Sequence, residues 1–237
     1  MKEHGTVPKK VDTTRQAMEF GAALLKQAPH LTSEEMQYWI KNQGLLQDAL
    51  AKALVIPDPL REWVRFYHDI FGINADYFSD LALPKKQVGF NWLIVMHRGF
   101  TEQILIEACK KRFKVQCSIK DKDLIAIKST RTNNKTYAFW VRDRIEADDE
   151  NKNKSANDCE KEGINGITLP ERLLLELWYH WKTGKHLDIE NYTLCSGSRI
   201  PAGHVPRVTW HAVELEVRYD GYLDSRSGNY RARAVVS

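Results

Sequence analysis

Cys195, Ser196 and Ser198 cluster in the segment Thr193–Arg199 (TLCSGSR), and His204 and His211 follow shortly after. A nucleophile needs a base within hydrogen-bond reach and a third group that orients the base. This segment has no GxSxG elbow, and nothing marks a helix behind it to lower a thiol pKa. Ser-Gly-Ser is also an ordinary turn. A hydrolase built on Cys195 or Ser198 is therefore the last of three functional readings, and no catalytic residue is assigned.

Metal and cofactor chemistry finds no better footing. The eight histidines (His4, His30, His68, His97, His180, His186, His204 and His211) include no i, i+4 pair of the zinc-protease kind. The four cysteines (Cys109, Cys117, Cys159, Cys195) form no CxxC pair and no Cys/His zinc spacing. Glu146, Asp148, Asp149 and Glu150 crowd together without the glycine-punctuated spacing of a calcium loop. Glycine-rich phosphate loops are absent, so neither a metal nor a cofactor is expected.

Recognition chemistry is better represented. Residues 110–135 hold nine Lys/Arg against two acids, a local +7, headed by Lys110, Lys111, Arg112 and Lys114. Such clusters bind phosphate backbones, although Phe113 alone interrupts this one as an aromatic, which gives base stacking little support. Nucleic-acid association through this segment is the second reading. The leading one rests on Tyr219–Tyr230 (YDGYLDSRSGNY), where ten of the twelve residues are Tyr, Asp, Ser, Gly or Asn. Antigen-binding loops use that palette: tyrosine offers a rigid amphipathic ring, and the small polar residues adapt their hydrogen bonds. The run lies between strand-like segments and reads as a displayed loop. Tyr219, Tyr222 and Tyr230 would supply contact area, and Asp220, Asp224, Arg226 and Asn229 would orient an unknown protein or glycan ligand by hydrogen bonds.

The tail also carries a resemblance. TLCSGSR, then VPRVTW (Val205–Trp210), then Arg218–Ser237 resembles the end of a C-type-lectin-like domain, more narrowly its formylglycine-generating-enzyme branch. Gly197-Ser198 and Gly228-Asn229-Tyr230-Arg231 stand at that branch's Gly-Ser turn and final Gly-aromatic-Arg strand. Arg199 replaces its usual Trp and no active-site cysteine pair is identifiable, so the resemblance implies a binding scaffold and not the enzyme activity. The whole chain is similar to bacterial hypothetical proteins with the same LCSGSR and RARAVVS tail elements, which implies no activity.

The elements that would position these residues read as an α+β fold. With 237 residues, 43% hydrophobic and 28% charged, the chain has enough apolar mass for a sizeable core and too much for wholesale disorder. No apolar run approaches the roughly 20 residues that cross a bilayer, and no signal peptide is visible. A cytoplasmic protein with free thiols is expected.

The spacing predicts helices over Thr13–Ala28, after a Thr32/Glu35 capping box, and after Asp58-Pro59, giving a helical region 1–83. In 84–142, Gly89–His97, a helix opened by Thr101, Lys114–Ile119 and Tyr137–Val141 read as a small β-α-β unit. Residues 143–162 hold eight acids against four bases, so 143–167 reads as a charged linker or exposed helix. The last region, 168–237, opens with a long helix from a Thr168/Glu171 capping box to Gly184. Strands over Tyr192–Cys195, Val205–Trp210, Val213–Tyr219 and Arg231–Val236 follow it.

Overall fold

Thr32 and Glu35 exchange hydrogen bonds of 2.8 and 3.2 Å and open α1 (Ser33–Lys41), with α2 (Gln43–Ala53) just beyond Asn42. The computed structural model describes residues 30–53, 59–75, 78 and 81–237, with the helical positions 18, 19, 21, 22, 24 and 26. Most of the helix expected over 13–28 and the Asp58 cap lie outside the described residues. The chain divides into two units, Met1–Ile56 and Pro57–Ser237. In the first, α1 has no buried residue and exposes Met36, Tyr38 and Ile40.

The second unit begins with α3 (Pro59–Phe71), ended by Gly72 at φ 67°. It buries Trp63, Phe66 and Tyr67, and it is pinned to β1 (Trp92–Met96) by Trp63 Nε1 donating to Leu93 O and Tyr67 Oη to Val95 O, at 2.9 and 2.7 Å. Next come α4 (Glu102–Lys110), capped by Thr101, then β2 (Val115–Cys117), α5 (Asp121–Ile125), β3 (Lys128–Ser129) and β4 (Tyr137–Val141). A short helix α6 (Ala156–Lys161) precedes α7 (Leu169–Thr183), each opened by a capping box, Ser155/Asp158 and Thr168/Glu171. The end is β-rich: β5 (Tyr192–Leu194), β6 (Ser198–Arg199), β7 (His204–His211), β8 (Glu214–Tyr222), β9 (Tyr230–Ala232) and β10 (Val235–Val236). The fold is α+β.

Three sheets result, ordered β1-β4-β10, β2-β8-β7-β5-β9 and β3-β6. Helix α7 packs on α4 and meets β1 of the first sheet and β7 of the second. Apolar side chains from all of these share one core. A helix so enclosed must bury its polar residues too, and Glu171, Arg172 and Glu176 are buried beside its leucines.

Two expectations change here. The β-α-β middle is not one sheet: β1 pairs with β4, whereas β2 runs parallel to β8, Val115 opposite Leu215 and Cys117 opposite Val217. A three-residue strand cannot stand alone, and the long β8 offers it an edge next to the buried Leu215 and Val217. Residues 143–162 are not an exposed linker either. Asp148 is buried, accepts from Arg142 Nη1 at 2.5 Å and from Ala234 N at 2.8 Å, and Asn151 Nδ2 donates to Ala232 O. Asp148 is taken up by an arginine and by the backbone near the C-terminus, while Asp149, Glu150 and Glu160 stay exposed.

Candidate binding site at the C-terminal end

Alternation carries β8 as far as Tyr222, so Tyr219, Asp220 and Tyr222 belong to a strand and the loop proper is Leu223–Asn229. Leu223 drops into a small apolar cluster with Ala156, Leu194 and Val205. Around it the loop is fastened to α6. Asn157 N donates to Leu223 O at 3.1 Å and Asn157 Nδ2 to Asp224 Oδ1 at 2.5 Å. Arg226 grips Asp158 with Nε and Nη2 at 2.6 and 2.5 Å. Hydrogen bonds from Arg226, then from Ser155, hold the Asp158 carboxyl well below the usual carboxylate range. Within the loop, Tyr222 N donates to Ser225 Oγ and Ser225 N to Tyr222 O, both at 2.9 Å.

The three tyrosines thus have different surroundings. Tyr222 is 64% exposed, its ring 4.6 Å from that of His204. Tyr219 is half-buried against the core, edge-on to the same imidazole at 5.6 Å. Tyr230 sits on β9, where the Arg207 guanidinium lies 5.0 Å from its ring and 4.7 Å from that of Tyr192 and bonds the Tyr230 hydroxyl. The backbone of Asn229 accepts from Tyr192 N at 2.8 Å. The side chains of Asp224 and Arg226, expected to orient a ligand, hydrogen-bond Asn157 and Asp158 of α6. Asn157 and Asp158 were missed in the sequence, although Ser155-x-x-Asp158 is itself a capping-box signature.

Several side chains of the basic segment have partners within the fold. Lys110 pairs with Glu107 at 2.7 Å, and Lys114 with Glu214 at 2.9 Å. Arg112 donates to the carbonyls of Asp69 and Ile70 at the end of α3, and Lys111 is exposed. Arg131 turns inward, its Nε and Nη2 each 2.6 Å from the buried Glu171.

The TLCSGSR turn is a packing device. Cys195 is buried, and burial pushes its thiol far up, away from the thiolate a nucleophile needs. Ser198 Oγ accepts from Leu169 N at 2.9 Å at the start of α7 and shares a 2.8 Å bond with Ser129. His211 faces Glu216 at 3.3 Å, while His204 packs against Tyr219 and Tyr222. Gly166 and Gly197 meet so closely that a Cβ on Gly166 would lie 1.8 Å from Ser196 Oγ, and one on Gly197 would lie 2.5 Å from Gly166 O. The four cysteines carry free thiols.

Sequence reading also missed a buried chain of charges behind this end. Asp188, at φ 53°, accepts from Arg172 Nε (2.9 Å), Arg233 Nη2 (3.1 Å), Ala147 N (2.8 Å) and the Thr193 hydroxyl, and Arg172 Nη2 lies in ion-pair contact with it at 2.8 Å. Arg172 also meets Glu176, which meets His186 at 2.8 Å, and the His186 ring lies flat on Trp210. Burial opposes the charge of Arg172, but Asp188 and Glu176 outweigh it and keep the guanidinium protonated. The signal available was an i, i+4 Arg-Glu pair in a helix apolar on nearly every other side.

Among the described residues no group of His, Cys, Asp and Glu is arranged to hold a metal ion, and no helix is long and apolar enough to cross a membrane. No protein-family model, curated protein or solved structure matches this chain.

Proposed function

We propose that this protein binds a partner through its C-terminal β-rich end, with Tyr222 as the anchor and without catalysis. The observation that carries this reading is the clamp of the Leu223–Asn229 loop on α6, which leaves the neighbouring Tyr222 ring exposed on a braced strand. An aromatic anchor held in place before binding loses little conformational freedom on contact, and such residues dominate interface energetics. Tyr219 and Tyr230 brace the strands, while Asp224 and Arg226 hold the loop. The resemblance of the tail to C-type-lectin-like proteins fits such a display role, with a protein or glycan as partner. The free thiols support a cytoplasmic setting.

The test compares the wild type with Tyr222→Ala on protein and glycan arrays, followed by titration of each hit. Loss of about tenfold or more in affinity, with Tm unchanged, is expected for an anchor residue. Hits that bind both proteins equally would remove Tyr222 from the site. An oligonucleotide titrated against salt decides the competing reading. Tight, salt-sensitive binding that is lost on replacing Lys110, Lys111 and Lys114 by Gln would move the function to the basic segment.

A further inference from the structure

Beside the Gly166–Gly197 contact a cleft of about 330 Å³ opens between α6 and the Ser196–Arg199 turn. This is the lower end of small-ligand clefts, which run from roughly 300 to 1,000 Å³. Apart from the buried Cys159 thiol, its ionisable groups are Glu160 and Arg199, one of each sign, with the polar side chains of Thr130 and Asn165 and the apolar Ile164 on its walls. Arg199 is fixed from behind: its Nη1 donates to the carbonyls of Ser196 and Ser198 at 2.6 and 3.1 Å. Its Nη2 reaches Glu160 only at 3.5 Å, and the Glu160 side chain is 75% exposed. On the same helix the Arg226–Asp158 pair closes to 2.5 Å. A held cation and a loosely paired carboxylate therefore share this cleft. The buried Ser196 hydroxyl also lines the cleft, beside the Cys159 thiol.

We propose that this cleft binds a small zwitterion, a free α-amino acid, with its carboxylate on Arg199 and its ammonium on Glu160. Electrostatics selects this class. A phosphate or simple carboxylate entering the cleft meets Glu160, and a simple amine meets Arg199. A ligand carrying both charges a few ångströms apart satisfies both groups and takes the place of their weak mutual contact. Thr130 adds a polar side chain to the wall and Ile164 offers a surface for the ligand's side chain, while the Asn165 amide is held by Arg131 and Ser237. The site shares no residue with the Tyr222 surface, so either reading can fail without the other.

The experiment is thermal-shift screening of the full chain against each proteinogenic amino acid, with acetate and methylamine as single-charge probes, followed by calorimetric titration of any hit. One or more amino acids at about 10 mM should raise Tm by about 2–4 °C or more, and neither acetate nor methylamine should do so. Arg199→Gln and Glu160→Gln should each abolish the shift; Glu160 is exposed, so its variant tests the site even if the arginine variant folds poorly. No shift with any amino acid would overturn the proposal. So would a shift that survives Glu160→Gln, or an equal one with acetate or methylamine alone.

Discussion

Arg226 and Asp158 form a two-pronged ion pair, at 2.5 and 2.6 Å, across 68 positions of sequence, and it ties the loop between β8 and β9 to the first turn of α6. Charge-assisted, fork-shaped contacts of this kind add geometric specificity as well as attraction. This one fixes the loop beside Tyr222. Arg226→Ala should leave the thermal midpoint nearly unchanged, because the pair is on the surface. It should speed amide hydrogen exchange in Leu223–Asn229 and at the start of α6. Unchanged exchange would mean that Leu223 and Asn157 hold the loop unaided.

The Asp158 carboxylate, which also accepts from Ser155 N and Oγ at the start of α6, sets a pH dependence beyond the Arg226 contact. The folded-state pKa of Asp158 is lowered. Its contribution is therefore fully present above the unfolded aspartate value of about 3.9 and is lost as pH falls below that, toward the depressed folded value. Glu150, drawn down to about 2 chiefly by hydrogen bonds from Arg144, behaves alike below a glutamate value of about 4.3. Urea midpoints of wild type and Asp158→Asn should differ most at neutral pH and converge in acid. A gap that widens in acid would contradict this assignment.

Arg172 lies between two buried carboxylates, Glu176 and Asp188, with no exposure of any of the three side chains. Arg172→Met leaves both acids buried without their shared cation, although Arg233 and His186 remain on their far sides. Removing one partner of a buried ion network costs about 3–5 kcal/mol. Urea denaturation checks the figure, and a loss under about 1 kcal/mol would show that the carboxylates protonate or hydrate readily.

Gly166 is required by space. A methyl group there would collide with Ser196 Oγ, so Gly166→Ala should destabilise by about 1–3 kcal/mol, the range for overpacking. Ser196→Gly removes the colliding atoms and should recover much of the loss, seen as a coupling energy in a double-mutant cycle. Additive effects would place the strain elsewhere.

Ala212 occupies the tight turn between β7 and β8 at φ 56°, where a Cβ is strained. Ala212→Gly should raise stability, by up to about 1 kcal/mol, since glycine adopts that conformation freely. A lower Tm in calorimetry would show that the lost side chain, or the added freedom of the unfolded chain, outweighs the relief.

Capping residues and periodicity were readable at once. Thr32, Thr101 and Thr168 open helices as their spacing predicts, and Tyr137–Val141 is a strand over the expected span. Of the candidate site, a Tyr-rich turn joining two strands was legible, but neither the extension of β8 to Tyr222 nor the division of labour inside the run was. Asp224 and Arg226 have the residue types of ligand contacts, and nothing local distinguishes them from residues that hold their own loop. Likewise Lys110–Lys135 is basic in sequence, yet Arg131 is drawn into Glu171 and Lys114 onto Glu214.

The sequence by itself determined the helix starts, most strand spans and the α+β class, because capping bonds and side-chain periodicity act over about four residues. Only the tertiary structure decided that β2 joins β8, that Asp188 collects Arg172 and Arg233 from 16 and 45 positions away, and that Arg226 serves α6. Those choices depend on which charges are desolvated together and which strand edges lie free. Both are properties of proximity in space, and a chain acquires them only when it closes on itself.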